Sequence, residues 1–224
     1  MVISWFRYKF RLITILMVFA SFNLFAYEQA YIKLPREIRS DKAVAQLINE
    51  NNNKVQVLYF FSYGCHACAK FDPSFQDWAR KQQDKNLVIY KLPVSFKKDW
   101  ENLAKLYYIA QTLDPKVNFN SKIFTAIYDN NIDLSQISEM QKFFVKNGYK
   151  ATDFDKTSNL PIISAKVKKA DQLAKDYEVY QTPTIIVNGL VDSYQVDLTE
   201  DVKSFFTNLN ELIANQNKIR LRTN

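Results

Sequence analysis

Residues 55–68 of the chain read Val-Gln-Val-Leu-Tyr-Phe-Phe-Ser-Tyr-Gly-Cys-His-Ala-Cys. The first seven are β-branched, apolar or aromatic with one exception, which is typical of a strand buried on both faces of a parallel or mixed sheet. After the second cysteine, apolar residues recur at Phe71, Phe75 and Trp78 in helical register. This stretch therefore predicts a buried strand that is followed directly by a helix beginning at about Cys65.

The start of the predicted helix carries the two cysteines of the chain, Cys65 and Cys68. At a helix N-terminus several backbone N–H groups have no partner within the helix, and the helix dipole is positive. Both effects favour thiolate over thiol, so we expect the pKa of Cys65 to lie below the free value of about 8.5. Cys65 is thus predicted to be an exposed nucleophile, and Cys68, one turn further along, a buried resolving thiol.

Two other uses of a Cys-x-x-Cys pair conflict with the sequence. A c-type haem requires His after the second cysteine, where this chain has Ala69. A structural zinc site requires four Cys or His ligands, whereas the chain has three such residues, the two cysteines and His66. A structural disulfide stays open as an alternative, although a four-residue ring restricts the unfolded chain little. No metal is expected at this pair.

The remainder of the chain after residue 26 alternates between strand-like and helix-like patterns. Strands are predicted at Tyr31–Leu34, Val55–Phe61, Leu87–Leu92, Thr184–Val187 and Tyr194–Val196, with helices near Ser40, Phe71, Trp100, Phe119, Ser135, Ile162 and Val202. The segment between the third and fourth strands has a helical period only, and we expect its many Tyr and Phe residues to be core. The pattern predicts an α/β fold with an all-helical insertion.

The N-terminal residues have the features of an export signal. Arg7, Lys9 and Arg11 form a cationic region, Leu12–Phe25 is largely apolar, and Ala26 offers a small residue at a cleavage site. A helix needs about 20 apolar residues to span a bilayer, so a cleaved signal peptide is favoured over an uncleaved anchor, the alternative. In both cases the folded part lies outside the cytoplasm, where disulfides persist.

Charge and composition exclude several classes of function. The net charge is +7, from 30 Lys and Arg against 23 Asp and Glu, and it is spread along the chain, so no nucleic-acid partner is expected. The single histidine, His66, argues against most His-dependent chemistry elsewhere in the chain, including Ser-His-Asp triads and paired-His zinc sites. Three glycines make a glycine-rich nucleotide loop untenable.

Several segments together resemble a known family. Phe60–Cys68 resembles the active-site segment of the thioredoxin superfamily, specifically the DsbA-type thiol:disulfide oxidoreductases of the bacterial periplasm. Pro73 matches the proline of that family's active-site helix, and Gln181–Gly189 resembles its cis-proline loop with the strand that follows. Phe143–Gly148 and the helix beyond it resemble the family's inserted helical domain.

This resemblance covers about residues 54–215 and implies a thioredoxin-like fold with an inserted all-helical domain. It implies that Thr182 and a cis Pro183 bind an extended substrate segment, the alternative being an ordinary proline at a strand edge. The implied segments are a signal peptide (1–26), a first thioredoxin-like part (27–97), the helical insertion (98–160), a second thioredoxin-like part (161–217) and a basic tail (218–224).

The chain departs from the family pattern at two places. The family usually has Pro-His between the cysteines, whereas this chain has His66-Ala67, which we consider as redox-tuning residues, with an exposed bystander as the alternative for His66. The family often has a buried acid six residues before the first cysteine, where this chain has Tyr59. Lys91 matches the lysine that pairs with this acid, and it is either part of a proton relay or a side chain that extends to solvent.

The resemblance also implies a function. It predicts a periplasmic oxidase that uses Cys65 and Cys68 to introduce disulfides into newly translocated proteins. Its partners would be reduced exported proteins and a membrane quinone-linked protein that re-oxidises it, and it would act as a monomer without cofactor. The alternatives are a periplasmic reductase or isomerase, and a chaperone-like module that binds substrate and has a non-catalytic disulfide.

Overall fold

The computed structural model describes residues 30–50, 54–189, 191–198 and 201–223. The predicted signal peptide lies outside these ranges. Within them, no helix combines the length and the apolar character needed to cross a membrane.

The described strands form one mixed sheet. They are β1 (Tyr31–Lys33), β2 (Val55–Phe61), β3 (Leu87–Pro93), β4 (Thr184–Asn188) and β5 (Ser193–Val196), in the order β1-β5-β4-β2-β3. Strand β2 runs parallel to β3 and antiparallel to β4, and Leu58 pairs with Tyr90 on one side and Ile186 on the other. All seven residues of β2 are buried, which confirms the prediction of a strand covered on both faces.

Eight α-helices and one 3-10 helix are described. They are α1 (Lys42–Glu50), α2 (His66–Lys81), α3 (Trp100–Leu113), α4 (Asn120–Tyr128), α5 (Ile137–Lys146), α6 (Ala151–Ser158), α7 (Pro161–Asp176) and α8 (Val202–Thr223), with the 3-10 helix at Arg36–Ser40. The sequence analysis missed α6 and the 3-10 helix, because each is too short for a clear apolar repeat. Helix α8 continues through most of the segment predicted as a basic tail, whose Lys and Arg are residue types that form helices readily.

Side chains of β2 point alternately into two hydrophobic clusters, one on each face of the sheet. Val57, Tyr59 and Phe61 lie in the larger cluster with residues of α2 to α8. Leu58 and Phe60 lie in the smaller cluster with residues of α1 and α7. Strand β2 is therefore held by packing on both faces, and it delivers its C-terminal end, where the cysteine motif begins, at a defined position.

Helices α3 to α6 lie in the chain between β3 and α7. Their aromatic residues are core, as predicted: Phe119, Phe144 and Phe154 are buried. The ring centroids are 5.4 Å apart for Phe119 and Phe144 and 5.5 Å apart for Phe144 and Phe154, distances at which aromatic pairs attract. The segment thus has its own aromatic centre and presents its helix ends to the cysteine motif.

Candidate active site

Cys65 is the N-cap residue of α2. Its backbone is extended, with φ −101° and ψ 111°, and its sulfur accepts a hydrogen bond from the Cys68 backbone N–H at 3.3 Å. A tight turn connects β2 to this cap, because Ser62 Oγ accepts from the Gly64 N–H at 3.1 Å and the Ser62 carbonyl oxygen accepts from the Cys65 N–H at 3.1 Å. The sulfur therefore occupies the place of a capping oxygen at the helix N-terminus.

The environment of Cys65 lowers the pKa of its thiol to about 6. The hydrogen bond from the Cys68 side chain is the largest cause, and hydrogen bonds from the Thr182 side chain and from the backbone N–H groups of Cys68 and Ala67 add to it, while partial burial opposes it. Cys65 is half-buried, so its sulfur is within reach of a second molecule. A thiol with such a pKa is mostly thiolate at neutral pH, the form that takes part in disulfide exchange.

Cys68 lies in the opposite environment. It is fully buried in the larger hydrophobic cluster, and burial together with the neighbouring Cys65 sulfur raises the pKa of its thiol. Both cysteines are free thiols, so the structure is that of the dithiol form. The two sulfurs thus differ strongly in acidity and access although they are three residues apart.

Thr182 and Pro183 lie beside the cysteines. The Thr182–Pro183 peptide bond is cis, and the Thr182 carbonyl oxygen accepts a hydrogen bond from the Cys65 thiol at 3.2 Å. The two residues are 117 positions apart in the chain. Tyr180, which precedes this loop, is 82% exposed. The fold therefore brings together two segments that the sequence analysis had related only through the resemblance.

His66 and Ala67 are both exposed and fill the first positions of α2. The His66 ring stacks on Tyr128, with ring centroids 5.1 Å apart and planes 19° apart. Ala67 acts on Cys65 through its backbone N–H, which leaves its methyl group without a visible role. Tyr128 did not stand out in the sequence, because its position at the end of a helix in the insertion gives no local signal.

Lys91 does not extend to solvent, because its side chain is only 14% exposed and its Nζ lies 3.2 Å from Asp72 Oδ1. Asp72 is buried, on α2, four residues after Cys68 and hence on the same helix face. The pKa of Lys91 is lowered by burial, and the Asp72 carboxylate opposes this shift. The sequence analysis missed Asp72, although an acid on the apolar face between Phe71 and Phe75 was a signal that could have identified it.

Asp72 is the centre of a buried hydrogen-bond network. Its Oδ1 also accepts from Asn120 Nδ2 at 3.2 Å, and its Oδ2 accepts from Gln76 Nε2 at 3.1 Å. Asn120 Oδ1 in turn accepts from the Tyr63 hydroxyl at 2.8 Å. The network joins α2 to β3, to the turn before Cys65 and to the first residue of α4. Both carboxylate oxygens of Asp72 thus accept hydrogen bonds.

The hydroxyl of Tyr59 is buried without a hydrogen-bond partner. Burial raises the pKa of Tyr59, and the nearby Cys68 sulfur and the Asp72 carboxylate raise it further. The Tyr59 ring also lies 5.8 Å from Lys91 Nζ. Tyr59 thus places a neutral, unpaired hydroxyl near Cys68, where the family pattern has an acid.

Metal ligation finds no support in the described part of the chain, where no group of three or more His, Cys, Asp or Glu side chains could hold an ion.

Comparisons with known proteins agree on one family. The model of the DSBA-like thioredoxin domain matches residues 56–207. The thiol:disulfide interchange protein DsbA of Pseudomonas syringae pv. tomato is 32% identical over 146 residues, which are 65% of this chain and 66% of that protein. The protein of the same name from Bordetella parapertussis is 28% identical over 170 residues, which are 76% of this chain and 80% of that protein.

Solved structures agree in fold. The crystal structure of Pseudomonas aeruginosa DsbA has a TM-score of 0.72 at 24% identity and covers 85% of this chain and 94% of that one. The oxidoreductase NmDsbA1 from Neisseria meningitidis has a TM-score of 0.68 at 21% identity, with 86% and 94% covered. These matches confirm the predicted thioredoxin-like fold.

Proposed function

Because this chain belongs to the DSBA-like thioredoxin domain family, we propose that it is an exported thiol:disulfide oxidoreductase that introduces disulfide bonds into translocated proteins. The observation that carries the proposal is the half-buried Cys65 sulfur, which caps α2 and has a pKa of about 6 beside a fully buried Cys68. A stable Cys65 thiolate stabilises the dithiol form, so the disulfide form becomes a stronger oxidant.

The reaction consists of two exchange steps. A substrate thiolate attacks the Cys65 sulfur of the Cys65–Cys68 disulfide, which forms a mixed disulfide and releases Cys68 as a thiolate. A second substrate thiolate then attacks the substrate sulfur of the mixed disulfide, and Cys65 leaves as a thiolate. The substrate loses two electrons and gains a disulfide, while the protein gains both electrons as a dithiol. The low pKa of Cys65 makes it a good leaving group in the second step.

Cys68 needs a proton when it leaves, because burial disfavours its thiolate. The position of Lys91 supports a role as the proton source, since burial lowers the pKa of its ammonium group and thereby favours release of a proton. Asp72 holds this ammonium group in place, and the Tyr59 ring lies 5.8 Å from Lys91 Nζ and close enough to Cys68 for the two side chains to influence each other.

Substrate is held beside Cys65 by the loop at Thr182 and Pro183. An extended substrate segment can form backbone hydrogen bonds with Thr182, in the manner of a strand added to a sheet. Pro183 has no N–H group, which leaves the Thr182 side of the loop as the pairing edge. The Thr182 carbonyl oxygen, 3.2 Å from the Cys65 sulfur, sets the distance between the bound segment and the reacting atom.

The place and partners of the protein follow from its chemistry. Disulfide formation needs an oxidising compartment, so residues 1–26 would direct the chain to the periplasm, where reduced exported proteins are its substrates. Each turnover leaves two electrons on the dithiol, and a membrane quinone-linked protein would accept them. We propose that the protein acts as a monomer without cofactor and that 27–97 and 161–217 form the thioredoxin-like part around the insertion at 98–160.

The test is to equilibrate the purified mature protein with a series of glutathione redox buffers. A potential at or above the secretory range of about −180 to −210 mV supports the oxidase, and a potential near that of thioredoxin, about −270 mV, supports the reductase. Cys65→Ser provides the matched control, because it removes the nucleophile and keeps the size of the side chain. If Cys65→Ser abolishes exchange but preserves the cellular role, the chaperone-like alternative replaces our proposal.

A further inference from the structure

Two aromatic residues of the helical insertion contact the turn that carries Cys65, one on each side of it. Trp100 is the first residue of α3 and contacts Gly64, whereas Tyr128 is the last residue of α4 and contacts His66. We call Trp100 and Tyr128 the aromatic clamp. Neither residue belongs to the cysteine motif or to the cis-proline loop.

Trp100 packs against the backbone at Gly64. A Cβ atom placed on Gly64 would lie 2.2 Å from Trp100 Nε1 and 2.7 Å from Trp100 Cδ1, far inside contact distance. Only a residue without a side chain allows the indole to approach this closely. Lys97 Nζ lies 5.0 Å from the centroid of the same ring, within the range of a cation–π interaction. The indole is therefore held by contacts with the Gly64 backbone and with Lys97.

Tyr128 is held by further aromatic rings. Its centroid lies 6.3 Å from that of Phe124, and Phe124 lies 5.0 Å from Tyr63, which is in the same turn as Gly64. The pKa of Tyr128 is raised to about 12 by burial and by the nearby Cys65 and Cys68 sulfurs, so its ring is neutral and lies close to the dithiol. The stack on His66 thus connects a rigid aromatic group to the first residue of α2.

We propose that the aromatic clamp, which belongs to the helical insertion, positions Cys65 at the N-terminus of α2 and thereby sets the redox potential of the dithiol. The thiolate is stabilised by short hydrogen bonds, such as that from the Cys68 N–H at 3.3 Å, which weaken steeply as distance and angle depart from the optimum. Cys65 has a non-helical backbone between Gly64 and His66, so fixing both neighbours fixes its sulfur. This inference rests on the proposed exchange function, which it deepens.

The experiment measures two quantities in four single variants. These are the Cys65 thiolate, followed by its ultraviolet absorbance as a function of pH, and the equilibrium constant with glutathione. We expect Tyr128→Leu to raise the pKa of Cys65 by about one unit and to change the equilibrium constant about tenfold towards a weaker oxidant. Tyr128→Phe keeps the ring and should behave as wild type. Tyr149→Leu is the matched control, because it removes a partly buried aromatic ring of the insertion that contacts Phe119 and Phe144.

Gly64→Ala tests the clamp from the side of the turn, and it serves also if Tyr128→Leu does not fold. Its methyl group must displace the Trp100 indole, so the pKa of Cys65 should again rise. The inference is overturned if folded Tyr128→Leu or Gly64→Ala leaves both measured quantities unchanged, or if Tyr128→Phe or Tyr149→Leu shifts them as much as Tyr128→Leu. If the wild-type protein has neither a reactive thiolate nor disulfide exchange with glutathione, the proposed function is refuted instead. The failure of the proposed function can therefore be told apart from the failure of this inference.

Discussion

Cys65 and Cys68 show how strongly one helix turn can separate two identical side chains. Cys65 receives hydrogen bonds at the helix N-terminus and has a pKa of about 6, whereas Cys68 is buried among apolar residues and its pKa is raised. The difference arises from position, because both effects depend on which side of the first helix turn faces water.

The rate of alkylation of the reduced protein should therefore depend on the ionisation of one sulfur, that of Cys65. We expect the rate of reaction with iodoacetamide to rise with pH around a midpoint of about 6, since only the Cys65 thiolate is accessible. Cys65→Ser should remove the reaction almost completely. Cys68→Ala should move the midpoint upward, because the Cys68 side chain is the largest cause of the lowered pKa. An unchanged midpoint in Cys68→Ala would contradict this assignment.

Tyr59 permits a test at the scale of a single atom. Its hydroxyl is buried without a partner, and a buried unpaired hydroxyl costs about 1–3 kcal/mol, so Tyr59→Phe should unfold at equal or higher urea concentration. If the hydroxyl takes part in proton delivery to Cys68, glutathione should reduce the disulfide of oxidised Tyr59→Phe more slowly than that of the wild type. Stopped-flow fluorescence measures this rate. A stabilised variant with the wild-type rate would remove Tyr59 from the relay.

At the scale of elements, the ion pair of Asp72 and Lys91 connects α2 to β3 beneath the cysteines. Breaking a buried pair by removing one partner costs about 3–5 kcal/mol, because the other charge stays buried. We expect Asp72→Ala to lose about this much in the free energy of unfolding, measured with urea. The double variant Asp72→Leu with Lys91→Met should recover most of the loss. Equal losses in the single and double variants would show that packing, and not charge, is responsible.

Helices of the insertion contact the thioredoxin-like part close to the two cysteines. Asn120 at the start of α4 binds Asp72, while Trp100 and Tyr128 contact the turn around Cys65. The insertion thus contributes to the site through the ends of two helices, where side chains can project towards the neighbouring turn.

For the whole molecule, the acidity of Cys65 couples folding to pH in the reduced form. The folded pKa of about 6 is below the unfolded value of about 8.5, so the thiolate contributes stability that is fully present above pH 8.5 and is lost as pH falls through 6. Urea unfolding of the reduced protein, compared with Cys65→Ser at pH 5, 7 and 9, should show a difference that grows from pH 5 to pH 9. A difference independent of pH would refute this coupling.

Most of the elements could be predicted, because their signals are contiguous in the chain. Strand β2, helix α2 and the cysteines at its start follow from apolar periodicity and from turn residues within the 24 positions from Val55 to Trp78. Helix α6 could not be predicted, because its eight residues contain only two that are buried, Phe154 and Thr157. The role of Lys91 stayed open for a different reason, since its partner lies 19 residues away on another element.

The local chain was sufficient for the secondary structure and for the place of Cys65 at a helix N-terminus, since hydrogen bonds and side-chain periods act over a few residues. Packing alone determined which distant groups surround that sulfur. Thr182 is 117 residues from Cys65, and Asn120 is 48 residues from Asp72. Tyr128, a residue of the insertion, stacks on His66. Such neighbours depend on how helices and sheet fill a common core, a property that no single segment carries.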